Sequence, residues 1–174
     1  MRKLLVSLCL PLALLLQSPT LFALGVGDQA PAFVLPGLRT EDGSAPVDLG
    51  SYRGKVVYVD FWASWCAPCV VSTPLLNELR NRLVKEGKSF EIVAVNVDKK
   101  PDDGIDFLLD EPVQYKAVSD PQGKTPEAYQ VKAMPTAFLL DGTGKIRLIH
   151  EGFKPADIKT VEAEVRKLLA ELPQ

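Results

Sequence analysis

The sequence has few of the residue types that build metal centres and disulfide frameworks: one histidine and three cysteines in 174 residues. A metal cage of the usual His/Cys kind needs several such ligands close together, so a dedicated metal protein is disfavoured. A basic block is also missing. The 20 Lys+Arg are balanced by 22 Asp+Glu for a net charge of −2, which leaves no electrostatic footprint for nucleic acid. No apolar run reaches the roughly 20 residues needed to cross a bilayer; the longest, Leu4 to Leu16, is broken only by Ser7 and Pro11. There is no internal repeat, low-complexity tract or sign of a second domain. What the chain does have is ordinary core-forming material, 47% hydrophobic and 24% charged, enough for one globular domain.

Arg2 and Lys3, the apolar run, the break Gln17-Ser18-Pro19-Thr20 and the small Ala23 have the layout of a secretory signal peptide. Residues 1–23 are therefore read as a leader and 24–174 as the mature domain; a retained anchor extended through Leu24 is the alternative. Cys9 falls inside the leader, so a mature chain would keep only Cys66 and Cys69. Exported proteins stapled by disulfides normally carry several pairs. A bridge across two intervening residues closes too small a loop to add much stability. This pair is kept for chemistry.

Along the chain, Gly, Pro and Asp are frequent up to Gly54, with short extended segments expected at Ala32–Leu35 and Val47–Leu49 around a turn at Glu41–Ser44. Lys55–Phe61 and Phe90–Val97 read as strands buried on both faces. Between them, Val71, Leu75, Leu76, Leu79 and Leu83 recur at helical spacing from Pro68 to Lys85, ending at Gly87. A short helix is expected over Asp102–Leu109, a strand over Gln114–Val118 and a short helix over Thr125–Tyr129. A hairpin, Thr136–Leu140 with Lys145–Glu151, turns at Asp141-Gly142-Thr143-Gly144. A last helix, Pro155–Leu172, buries Ile158, Val161, Val165, Leu168 and Leu169. Alternating strands and helices followed by a hairpin and helix imply an α/β architecture with a mixed sheet.

Cys66 follows a buried strand and opens a helix. Its sulfur would lie near the unpaired N–H groups of the first turn, where the helix dipole favours an anion. The thiolate is the reactive form, and such sites lower a Cys pKa. Cys69, one turn later, is close enough to bridge, so attack by Cys66 and resolution by Cys69 are available steps. Pro68 suits the first helical turn, and Trp65 is expected to shield one side of the site. The competing reading is a zinc half-site, for which only His150 and carboxylates could complete the ligand set. His150 itself is most simply a solvated edge residue. Trp62 and Phe61 read as core, and Pro74 removes one backbone bond from its helix.

The segment Val56-Val57-Tyr58-Val59-Asp60-Phe61-Trp62-Ala63-Ser64-Trp65-Cys66-Ala67-Pro68-Cys69 resembles the active-site strand and helix start of the thioredoxin superfamily, and Met134-Pro135-Thr136 resembles its cis-proline loop. Asp48–Lys55, Phe138–Asp141 and Gly152-Phe153 are similar to the TlpA/ResA-like branch of exported disulfide reductases, the likeness running from about Gly27 to Leu172. The resemblance implies a thioredoxin-like α/β fold: a central mixed β-sheet flanked by helices, with an N-terminal β extension and a central insertion at Lys99–Val113. It implies a redox-active Cys66–Cys69 pair. It also implies a substrate-facing loop in which Met134 pairs with an extended segment and Pro135 holds the loop open; an ordinary turn proline is the alternative.

Asp60 matches the buried carboxyl of thioredoxins, a candidate proton shuttle for Cys69. The chain departs from both patterns. Thioredoxins place a Lys two residues before the Asn-x-Asp that ends the next strand, where this chain has Ala94. The exported branch more often has Asn at the Asp60 position and a Glu three residues after the second cysteine, where Ser72 stands. The expectation is that the acid/base carboxyl has moved from helix to strand; a purely structural Asp60 is the alternative.

The implied activity is reduction of specific protein disulfides outside the cytoplasm, in the periplasm or on the outer side of a bacterial membrane. The implied electron donor is membrane-embedded, and acceptors would be haem-attachment or copper-site cysteines. A disulfide oxidase or isomerase, or a copper-binding assembly factor, would use the same thiols. No cofactor and no nucleic-acid partner are implied, and a monomer is expected.

Overall fold

Every residue of Val56–Trp62 is buried, which a strand achieves only when both faces of its sheet are covered. The structure, a computed structural model, describes residues 23–39 and 45–173. In chain order the strands are β1 Val34–Leu35, β2 Val47–Asp48, β3 Val56–Trp62, β4 Phe90–Asn96, β5 Lys116–Ser119, β6 Thr136–Leu140 and β7 Ile146–Glu151. The helices are α1 Ala67–Lys85, α2 Pro101–Asp110, α3 Lys124–Ala128 and α4 Asp157–Glu171. The main sheet runs β5-β4-β3-β6-β7. Strands β3, β4 and β5 are parallel, and β6 is antiparallel to both β3 and β7. β1 and β2 form a separate antiparallel pair. The expected mixed sheet, N-terminal β extension and inserted helix (α2) are all present.

Alternation along β3 decides what meets what. Val56, Tyr58 and Trp62 face a cluster built with Leu76, Leu79 and Leu83 of α1 and Val161, Val165 and Leu168 of α4. Val57, Val59 and Phe61 face the other side, against Phe33, Leu49 and Tyr129. Leu79 and Leu83 are completely buried, and each such side chain contributes roughly 1.5–3 kcal/mol. Asp60, by parity, shares the α1 face with Tyr58 and Trp62.

Several boundaries differ from the sequence reading for identifiable reasons. The fifth strand begins at Lys116 and not at Gln114, because the Gln114 N–H donates to Asn77 Oδ1 at 2.9 Å and Arg39 holds the carbonyls of Val113 and Tyr115. α4 begins at Asp157 and not at Pro155, since Asp157 first closes a turn with Lys154, accepting its N–H at 2.7 Å. The buried stripe of α1 is Cys69, Ser72, Thr73, Leu76, Leu79 and Leu83. Val71, expected on that stripe, is instead 41% exposed. The hydroxyls of Ser72 and Thr73 face inward without penalty because both donate to the Cys69 carbonyl, at 3.1 and 2.8 Å. The turn at Glu41–Ser44 and, apart from Ala23, the leader lie outside the described residues. Among the described residues no helix is long and apolar enough to cross a membrane.

Candidate active site

Strand β3 ends at Trp62, and a four-residue turn delivers the chain to α1. Cys66 is the N-cap of that helix: its φ and ψ are −88° and 101°, and its Sγ accepts the Cys69 N–H at 3.3 Å. A sulfur held on an N-terminal amide of a 19-residue helix is placed where negative charge is favoured. Cys66 and Cys69 are joined as a disulfide, S–S 2.06 Å and Cα–Cα 5.2 Å. Cys66 is 4% exposed and Cys69 not at all, so of the two only Cys66 reaches the surface. Pro68 lies in the first turn, where no N–H is needed.

Asp60 sits six residues upstream, 3% exposed. Its cross-strand neighbours are Ala94 on β4 and Ala137 on β6, so no cation flanks it in the sheet. Burial pushes its carboxyl up from the ordinary 3.8 to about 8. The same burial, with the Asp60 charge as a second cause, raises the Tyr58 and Tyr115 phenols. A carboxyl in this range exchanges a proton near neutral pH.

Thr136 at the start of β6 pairs with Phe61 near the end of β3. The Met134–Pro135 loop is thereby brought to the end of the sheet from which Cys66 emerges. The Met134–Pro135 peptide bond is cis. The loop is tied down by Gly152 N–H donating to the Pro135 carbonyl at 2.8 Å and Thr136 Oγ1 donating to the Ala133 carbonyl at 2.8 Å. Met134 is half-buried and touches both core clusters.

With this geometry in view, comparison with known proteins is decisive: the Redoxin family model matches residues 25–168. The chain belongs to the Redoxin family. It is similar to the thiol-disulfide oxidoreductase ResA of Geobacillus kaustophilus (strain HTA426), 37% identical over 130 residues, covering 75% of this chain and 71% of that one. It also resembles a solved chain from Chlorobium tepidum assigned as the thiol:disulfide interchange protein DsbE, with 44% identity and a TM-score of 0.78 over 84% of this chain and 99% of the other. The thioredoxin domain of a thiol-disulfide oxidoreductase from Bacteroides vulgatus gives a TM-score of 0.70 at 28% identity, covering 82% and 99% of the two chains. This Redoxin is a thiol-disulfide oxidoreductase of the ResA/DsbE type, with a thioredoxin-like fold.

Of the expectations for Trp65 and His150, the second needs correction. Trp65, expected to shield one side of the site, is 71% exposed, while the next residue, Cys66, is 4% exposed. His150 is not a solvated edge residue. Its ring is only 20% exposed, with Nδ1 3.2 Å from Tyr58 Oη and Nε2 3.4 Å from Asp157 Oδ2. Its sequence neighbours give no hint of those partners, which come from β3 and α4.

Sequence reasoning missed the polar anchor of the active-site turn. Asp98 accepts the Ser64 N–H at 3.0 Å and the Ser64 hydroxyl at 3.1 Å. Two polar residues, Asn96 and Asp98, closing a buried strand were a signal in their own right.

Proposed function

We propose that this Redoxin is an exported reductase of specific protein disulfides, made with a leader over residues 1–23 and acting as a monomeric domain of residues 24–174. Cys66 is the attacking thiolate and Cys69 the resolving thiol, while Asp60 carries the proton of Cys69. Cys66 attacks one sulfur of a target disulfide, forming a mixed disulfide and releasing the other target sulfur as a thiolate. Cys69 then gives its proton to the Asp60 carboxylate and attacks Cys66 Sγ, releasing the second target thiolate. Two electrons pass from the dithiol to the target, leaving the Cys66–Cys69 disulfide. Trp65, Met134 and Pro135 form the surface on which an extended target segment lies. Recharging requires an outside donor, for which a membrane-embedded electron importer is the natural class, and cysteine pairs of apocytochromes or copper sites are the acceptors.

What carries this reading is a nearly covered disulfide at a helix N-cap, together with a buried carboxyl that strand parity puts on the α1 side of the sheet and that has no cation beside it on the neighbouring strands. Titrating the Cys66–Cys69 pair against glutathione or dithiothreitol buffers tests the direction of electron flow. A potential at or below about −250 mV supports the reductase; one near about −120 mV makes the protein an oxidant and overturns it.

A further inference from the structure

The turn Ala63–Trp65 connects β3 to Cys66, and Cys66 N–H closes it locally on the Ala63 carbonyl at 3.1 Å. A closed turn still has to be fixed to the rest of the molecule. Asp98, 1% exposed, does this from the end of β4. Its Oδ2 accepts the Ser64 N–H at 3.0 Å and the Asn96 Nδ2 donor at 2.7 Å, and its Oδ1 accepts the Ser64 hydroxyl at 3.1 Å. The Asp98 N–H in turn donates to Asn96 Oδ1 at 3.2 Å. Side-chain donors and a backbone amide thus satisfy a buried carboxylate, a charge-assisted arrangement stronger than neutral hydrogen bonds.

Asn96, fully buried, does not stop at Asp98. It lies directly against Gly104 of α2: a Cβ there would come within 2.6 Å of Asn96 Nδ2. Gly104 has no bound left-handed conformation to explain it, so close approach is its reason for being glycine. Ser64, Asp98, Asn96 and Gly104 form one packed path from the active-site turn to the inserted helix.

We propose that Asp98 is a positioning residue for thiol–disulfide exchange: by holding Ser64 it sets Cys66 Sγ against the first-turn amide of α1, and through Asn96 and Gly104 it makes the seat of α2 part of the same setting. This rests on the dithiol chemistry alone and not on the direction of electron flow, so a potential of either kind leaves it standing.

The test is the pH dependence of Cys66 alkylation by iodoacetamide in the reduced full chain, since only the thiolate reacts. Position and charge act in opposite directions here. Loosening the turn weakens the amide contact and raises the midpoint, whereas removing a nearby negative charge lowers it. Asp98→Asn keeps the volume but weakens every charge-assisted bond that the carboxylate accepts from Ser64 and Asn96, so the turn loosens and the positional effect outweighs the lost charge. It is expected to raise the midpoint, slowing alkylation about threefold or more at pH 6, a half-unit shift; an unchanged or lowered midpoint overturns the proposal. If Asp98→Asn does not fold, the Ser64 pair carries the test. Ser64→Ala should shift the midpoint upward by less and Ser64→Thr, which keeps the hydroxyl, should restore it; equal midpoints for Ser64→Ala and the wild type overturn the role. Gly104→Ala, with Asp98 intact, should raise the midpoint from a distance, and failure to do so removes α2 from the path.

Discussion

Replacing Asp60 by Asn should make the oxidised protein more stable, and by an amount that depends on pH in a defined way. The folded chain holds the Asp60 proton up to about pH 8, whereas an ordinary carboxyl releases it near 3.8. Between those values the folded state binds a proton that the unfolded state has lost, so stability falls as pH rises across that window. Each unit of pKa difference corresponds to about 1.36 kcal/mol, which puts the accumulated cost at pH 7 on the order of 4 kcal/mol. Water entry and relaxation on ionisation reduce this, and a difference of about 2 kcal/mol suffices to show the effect. Asn has nearly the shape of the neutral acid and does not ionise. Urea unfolding of wild type and Asp60→Asn at several pH values from about 4.5 to 8.5 should give curves that nearly coincide at the acid end and diverge steadily toward pH 8. A difference that stays constant over the whole range would refute the reasoning, because Asp60 would then be ionising at an ordinary pH.

The same substitution should slow the second chemical step: stopped-flow decay of the mixed disulfide is expected to fall by roughly 10²-fold at neutral pH with Cys66 alkylation little changed, and unchanged turnover would remove Asp60 from the mechanism. Leu79→Ala empties a fully buried site under the sheet and should cost about 2–5 kcal/mol in urea unfolding, with no shift in the alkylation midpoint. Tyr58→Phe deletes the hydroxyl that meets His150 Nδ1 and should lower stability by about 1 kcal/mol; a neutral result would mean that this contact contributes nothing.

Much of this was legible from the chain because local and global signals agree where the chemistry is. The β-branched run of β3, the helix start at Cys66 and the β6–β7 hairpin each declare themselves in a few residues. The Asp141 carboxylate that organises the hairpin turn, accepting from Thr143 and Lys145, sits inside the motif it stabilises. What was not legible depends on partners far along the chain. Val71 fits a helical apolar stripe on paper, yet the helix is rotated so that Ser72 and Thr73 face inward, their hydroxyls absorbed by the carbonyl of Cys69. Gln114 has nothing in its neighbourhood to say that Asn77 will claim its amide. His150 looks like an edge residue until Tyr58 and Asp157 arrive on either side of it. Asp98 was hidden for a different reason: an Asp just beyond a strand usually starts a turn, and only the fold shows that it reaches back to Ser64.

The strand order carries a consequence for how the molecule is completed. β3 is the central strand, but its two partners are unequally distant in sequence: β4 follows directly after α1, whereas β6 arrives only after α2, β5 and α3. A chain delivered from its N-terminus therefore has β3, α1 and β4 available, with Cys66 and Cys69 already in place, while one edge of β3 is still unpaired. The dithiol belongs to the early, local half of the fold, and the loop carrying Met134 and Pro135 belongs to the late, non-local half, whose contacts close slowly. Until β6 docks, β3 presents an apolar edge open to pairing with other chains. Closing that edge and completing the target-binding side of the site are then one event, so a chain that has both cysteines but not yet β6 has the reactive sulfurs without the surface that would choose their partner.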